Sequence, residues 1–143
     1  MQHGLVVVEF FWLLPFYSSG GNSPVYVCFY FYRYIIVDCL LQIHIAEETT
    51  KFGFDPAALE DIMDKQHEFP CVRIRGVMGM ATFTQDEKQI QREFRYLKNL
   101  FFKYFDSSEE AILSIGMSGD YPIAIAEGST MIRVGSLIFG ARE

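Results

Sequence analysis

Two short stretches carry the residue types and spacing from which chemistry is built. The first is Gly116-Met117-Ser118-Gly119-Asp120, which follows an apolar run and precedes a helix-like segment. The second is Arg133-Val134-Gly135-Ser136, again just past an apolar run. A small-residue turn that opens into a helix leaves backbone N–H groups without intrahelical acceptors, and the helix dipole there favours an anion. Glycines allow close backbone approach, and the hydroxyls of Ser118 and Ser136 add donors. That pattern suits a phosphate, and it equally suits an ordinary Gly/Ser connection. Arg133, at the end of an apolar run, reads as an anion contact or as a structural ion pair.

Other candidates are weaker. Lys51, in Thr50-Lys51-Phe52-Gly53-Phe54, could meet an anionic ligand or stand as a solvated loop lysine. Glu47-Glu48 reads as a solvated loop, because adjacent side chains do not converge on one reacting atom. His3, His44 and His67 are scattered, and Cys28, Cys39 and Cys71 have no metal-ligand spacing, so no metal site is expected. An odd, sparse cysteine set fits a reducing, cytoplasmic setting. No Ser/His/Asp or Cys/His arrangement, P-loop or GxGxxG is present, so no catalytic residue is assigned.

The elements that must position the two turns are legible from Cys39 onward. Cys39–Ala46, Val72–Met80, Ile112–Met117 and Met131–Val134 are apolar runs of strand length. Between them, Asp55-Pro56 signals a helix start, with Leu59, Ile62 and Met63 on one face through about Gln66. Thr84-Gln85-Asp86-Glu87 has the form of a capping box. Ile90, Phe94, Leu97 and Phe101 follow at helical spacing to about Phe105, a core stripe rather than a cofactor box. Asp120 is placed to cap a short helix that ends near Gly128, and Leu137–Phe139 begins a final segment.

Strand–helix alternation implies parallel βαβ units with right-handed crossovers. The unit length matches half of a TIM-type barrel of about 250 residues, with a small doubly wound sheet as the rival topology. In either fold, ligands bind beyond the C-terminal ends of the strands, where both turns lie.

The chain has 143 residues and a formal net charge of -6, which argues against a nucleic-acid partner. Half of it is apolar, enough for a core. The averages conceal a break near residue 38. Residues 1–38 hold 11 of the 23 aromatics but only three charges, Glu9, Arg33 and Asp38. By local rules, residues 4–14 and 25–37 form a very apolar hairpin around Ser18–Pro24. Leu5–Tyr17 is too short to span a bilayer, and Val25–Ala46 carries Arg33, Asp38 and His44, so a membrane span is not expected. A membrane or interaction role for the apolar segment is the alternative. A half barrel also leaves sheet edges open, which points to a homo-oligomer.

Ile112–Arg142, reading ILSIGMSGDYPIAIAEGSTMIRVGSLIFGAR, resembles the C-terminal signature of the pyridoxal-phosphate homeostasis proteins (YggS/PROSC type), which are similar to the N-terminal barrel of alanine racemase. Leu40–Phe54, Ile74–Thr82 and Glu93–Leu97 support the resemblance, which covers about residues 38–143. It implies part of a (β/α)8 barrel, strands five to eight, that binds pyridoxal 5'-phosphate as a cofactor carrier or buffer without catalytic turnover. It also implies that Met117, Ser118, Gly135 and Ser136 form the phosphate cup, with Arg133 near the pyridine nitrogen. In that family a Schiff-base lysine lies on the first strand, in a segment like VAVSK. Residues 1–37 contain no lysine and no such segment. The expectation is therefore noncovalent binding by residues 38–143, with residues 1–37 derived from a truncated or frame-shifted gene model. A racemase-like enzyme is the competing reading, and it would need that lysine.

Overall fold

The computed structural model describes residues 6–8, 36–105 and 110–140. A parallel sheet forms its centre, with strands in chain order: β1 (Val6–Val8), β2 (Val37–Ile43), β3 (Val72–Gly79), β4 (Ile112–Met117) and β5 (Met131–Arg133). Helices α1 (Pro56–Asp64), α2 (Glu87–Phe105), α3 (Tyr121–Ala126) and α4 (Ser136–Phe139) follow β2, β3, β4 and β5 in turn. The fold is α/β, as the alternation of elements requires.

Of the first arm of the expected N-terminal hairpin, only Val6–Val8 is described. Val6–Val8 pairs in parallel with β2, Val6 opposite Cys39, so this piece extends the sheet. The rest of the hairpin, residues 4–5, 9–14 and 25–35, lies outside the described residues.

Local chemistry sets the helix ends. The Asp55 carboxylate accepts the Ala58 N–H at 2.7 Å, and Pro56 opens α1 where its missing N–H costs nothing. α1 stops at Asp64, Lys65 caps it, and a 3-10 turn over Gln66–Glu68 takes Gln66, the last residue expected in the helix. The α2 cap is Asp86 and not Thr84. Asp86 accepts from Lys88 N at 3.0 Å, while the Thr84 hydroxyl accepts from Asp86 N at 3.1 Å. Thr84 thus shapes the turn that presents the better cap.

One sheet face packs on the helices. Leu41, Ile43, Val77, Leu113 and Ile115 meet Leu59 of α1, Phe94 and Leu97 of α2, and Ala124 of α3. Phe94 has no exposed surface. On the opposite face, Gln42, Met78 and Ser114 are register partners in one row across β2, β3 and β4, and all three are also buried. Burial on both faces is why these central strands read as near-continuous apolar runs.

A bulge sets the register between β2 and β3. Cys39 faces Ile74 but Leu40 faces Gly76, leaving Arg75 as the extra residue. A Cβ on Gly76 would lie 1.9 Å from the Ile112 carbonyl oxygen, so only glycine lets β4 approach here. At this N-terminal end of the strands, the Asp38 carboxylate takes Arg73 Nη2 and Arg75 Nη1, each at 2.9 Å. Arg75 also donates to the Glu110 carbonyl at 2.6 Å. Residues at this end brace the sheet, and the opposite end carries the two turns.

Candidate functional site

The site grows from the C-terminal ends of β4 and β5. Met117 and Arg133 are register partners on these strands, so the two turns leave the sheet side by side. Gly116, at φ +97°, starts the first turn, and a Cβ there would lie 2.5 Å from Ala124 Cβ. Glycine therefore lets α3 lie directly against β4 and fixes where the turn begins. Across the gap, the Ser118 hydroxyl accepts the Gly135 N–H at 3.1 Å. Ser136 follows as the first residue of α4. Met117, Ser118, Arg133, Gly135 and Ser136 are thus gathered at one end of two adjacent strands.

Asp120 sits at the cap position of α3, but its side chain does not cap that helix. It turns back and accepts the Met117 N–H at 2.6 Å. The expected cap is replaced by a bond that closes the turn on itself. One consequence is that the Met117 amide is already partnered. Other N–H groups at the starts of α3 and α4 have no intrahelical acceptors, as in the first turn of any helix. The half-buried Arg133 reaches across β4 and donates Nη2 to the Gly79 carbonyl at 3.2 Å, at the end of β3.

The neighbouring loops are more ordered than their sequence suggests. Glu48, expected to be solvated, accepts the Phe83 N–H at 2.7 Å and pairs with the Lys51 ammonium at 2.9 Å. The Lys51 hydrogen bond holds the Glu48 carboxyl below its ordinary range. Lys51 also donates to the Ala81 carbonyl. It is therefore a strut between the loops after β2 and β3, rather than a free cation in solvent.

Two buried acids were not anticipated. Glu93 of α2 accepts from Thr82 N and from the Thr82 hydroxyl, both at 2.7 Å, and from Gln89 at 3.1 Å. Glu127, after α3, is 5% exposed and accepts from Gln91 at 2.7 Å and Arg95 at 2.8 Å. The Arg95 hydrogen bond outweighs burial and keeps the Glu127 carboxyl below its ordinary range. The available signal was Glu93 itself, an acid in the apolar row Ile90, Phe94, Leu97. A carboxylate at such a position requires dedicated donors.

The donor set after β4 and β5 is a serine hydroxyl, first-turn backbone amides and a guanidinium. All of these stabilise negative charge, and none of them removes a proton at neutral pH, so the arrangement suits holding an anion with several oxygens. Among the described residues, no group of His, Cys, Asp and Glu is placed to hold a metal, and no helix is long and apolar enough to cross a membrane.

The family model for the alanine racemase N-terminal domain matches residues 37–143. The chain is 32% identical over 111 residues to the pyridoxal phosphate homeostasis protein of Aquifex aeolicus, covering 76% of this chain and 49% of that protein. It is 34% identical over 111 residues to the protein of the same name from Escherichia coli K12, covering 75% and 46%. The Helicobacter pylori (strain 26695) counterpart is 36% identical over 104 residues, covering 72% and 46%. The chain spans about half the length of the curated relatives it matches. Among solved structures, PipY of Synechococcus elongatus without PLP superposes with a TM-score of 0.65 at 31% identity, over 73% of this chain and 50% of that one. The PLP-bound form gives 0.62 at 30% identity, over 74% and 50%.

Proposed function

The chain belongs to the alanine racemase N-terminal domain family, on its pyridoxal phosphate homeostasis branch, and from that premise we propose that it binds pyridoxal 5'-phosphate and serves as a carrier or buffer of that cofactor. The observation that carries this reading is the Ser118–Gly135 hydrogen bond of 3.1 Å, which joins the two small-residue turns into one donor-rich surface. The phosphate is held by the Ser118 and Ser136 hydroxyls and by amides of the two turns shaped by Met117 and Gly135, whose own N–H groups are taken by Asp120 and Ser118. Arg133 adds the positive charge that offsets a dianion. The cofactor's formyl group supplies an electrophile for amines. The residues gathered here hold the other end of the molecule, by its phosphate.

Residues 38–143 act as the binding unit, corresponding to strands five to eight of the family barrel, and β1 adds one further strand to its sheet. Binding is noncovalent, since Lys51 is engaged by Glu48 and Ala81. The protein is not a catalyst, which accords with the homeostasis names of the relatives. It works in the cytoplasm, takes no nucleic acid, and pairs with a second copy through its open sheet edge at β5.

The test is equilibrium binding of pyridoxal 5'-phosphate, followed by borohydride reduction and mass spectrometry. The expected result is saturable binding with no stoichiometric adduct. Absence of binding refutes the cofactor reading, and a stoichiometric adduct on Lys51 refutes the noncovalent one.

A further inference from the structure

We propose that Phe83 is a specificity-determining residue, whose ring closes over the flat aromatic ring of a ligand held by its phosphate at the turns after β4 and β5. The inference rests on the phosphate-site reading above and adds the residue that distinguishes a phosphorylated aromatic molecule from phosphate itself.

Phe83 lies just beyond β3 and is 90% exposed, the most exposed large apolar side chain among the described residues. Its backbone is nonetheless firmly held. The Phe83 N–H is bound by Glu48 at 2.7 Å, and the preceding Thr82 is bound through both its N–H and its hydroxyl by the buried Glu93, each at 2.7 Å. A fixed backbone with a projecting aromatic ring is preorganised, because closing the ring over a ligand restricts only two side-chain torsions.

The surroundings point to the same kind of ligand. Phe52, after β2, and Met117, at the end of β4, are also about half exposed at this end of the sheet. The loops after β2 and β3 and the last residue of β4 therefore each carry an accessible apolar side chain, with Phe83 on the middle one. Beside this apolar rim stands the donor set of Ser118, Ser136 and Arg133. A bare phosphate uses only the donors. A phosphorylated aromatic molecule uses both halves.

The span is short enough for one small molecule. β3 and β5 are separated by a single strand, so their ends lie about 10 Å apart at the usual spacing. The Arg133–Gly79 contact of 3.2 Å already bridges that interval.

The experiment is calorimetric titration of the chain and of Phe83→Ala and Phe83→Tyr with two probes, pyridoxine 5'-phosphate and inorganic phosphate. Pyridoxine 5'-phosphate has the ring and the phosphate but no formyl group, so lysine chemistry does not intrude. Phe83→Ala is expected to weaken pyridoxine 5'-phosphate by about tenfold, the worth of one aromatic pair, and to change inorganic phosphate by less than about twofold. Phe83→Tyr is expected to keep the parent affinity for both. Unchanged pyridoxine 5'-phosphate binding in Phe83→Ala overturns the assignment. Equal weakening of both probes overturns it too, because it would mean that the loop supports the phosphate site and does not select the ring. If the parent chain binds neither probe, the phosphate-site reading falls, and the role of Phe83 falls with it.

Discussion

Replacing Gly116 by alanine tests how the first turn is held. Gly116 has φ +97°, a backbone conformation that costs an L-residue about 1–2 kcal/mol. Its new Cβ would sit 2.5 Å from Ala124 Cβ and 3.2 Å from Tyr121 Cα, so α3 must shift away from β4. Such overpacking costs about 1–3 kcal/mol. Together the two effects predict a loss of about 3 kcal/mol, or roughly 12 °C in Tm for a chain of this size. Urea denaturation followed by circular dichroism measures the first value, and calorimetry measures the second. Gly119→Ala is the control, because its Cβ would meet nothing within 4 Å, and about 0.5 kcal/mol or less is expected. A Gly116→Ala/Ala124→Gly double variant should show favourable coupling, because the packing share is relieved and the backbone share remains. A loss below about 1 kcal/mol in Gly116→Ala, or no coupling in the cycle, refutes the claim that glycine lets α3 approach β4.

Other measurements test other parts of the molecule. Phe94→Ala, at a fully buried position between sheet and α2, should cost about 3–5 kcal/mol in urea unfolding. Ser118→Ala removes the acceptor of the Gly135 N–H and should weaken inorganic phosphate about fivefold in calorimetric titration, with no more than about 1 kcal/mol lost in stability. Hydrogen bonds from Arg73 and Arg95 hold the Asp38 and Glu127 carboxyls below their ordinary values of 3.8 and 4.5. Their stabilising contributions are therefore complete above pH 5 and are lost as the pH falls through the lowered values. The urea midpoint should fall between pH 5 and pH 3, and Asp38→Asn with Glu127→Gln should flatten that fall.

The main-chain plan was readable because each element carries its own signal. The β4 run Ile112–Met117 is followed by the turn residues Ser118-Gly119-Asp120, and the strand ends where they begin. The helix that ends at Phe105 follows the row Ile90, Phe94, Leu97 and Phe101, and all four are buried. The side-chain wiring was less readable, because it depends on pairs far apart in the chain. Asp120 looked like a cap by position, yet the Met117 amide three residues back offers it a partner inside the turn. Glu48 looked solvated because the Phe83 amide that it binds lies 35 residues away. Lys51 was hard to place for the same reason, since the Ala81 carbonyl to which it donates lies 30 residues away. At the candidate site, the residue types and their position after successive strands could be read in advance. The Ser118–Gly135 bond could not, since it depends on two turns meeting in space.

The sheet order has a consequence for how the chain is made. β2, β3, β4 and β5 lie side by side in the sequence in which a ribosome would deliver them. Every strand after β2 therefore emerges next to a partner that has already been synthesised, and none must wait for a later one to fill a gap between neighbours. Folding during synthesis can proceed by accretion from β2 outward, with α2 sealing the growing layer before β4 arrives. Parallel pairs close long loops and form slowly, so this vectorial order shortens the time for which an apolar strand edge stays exposed on the nascent chain.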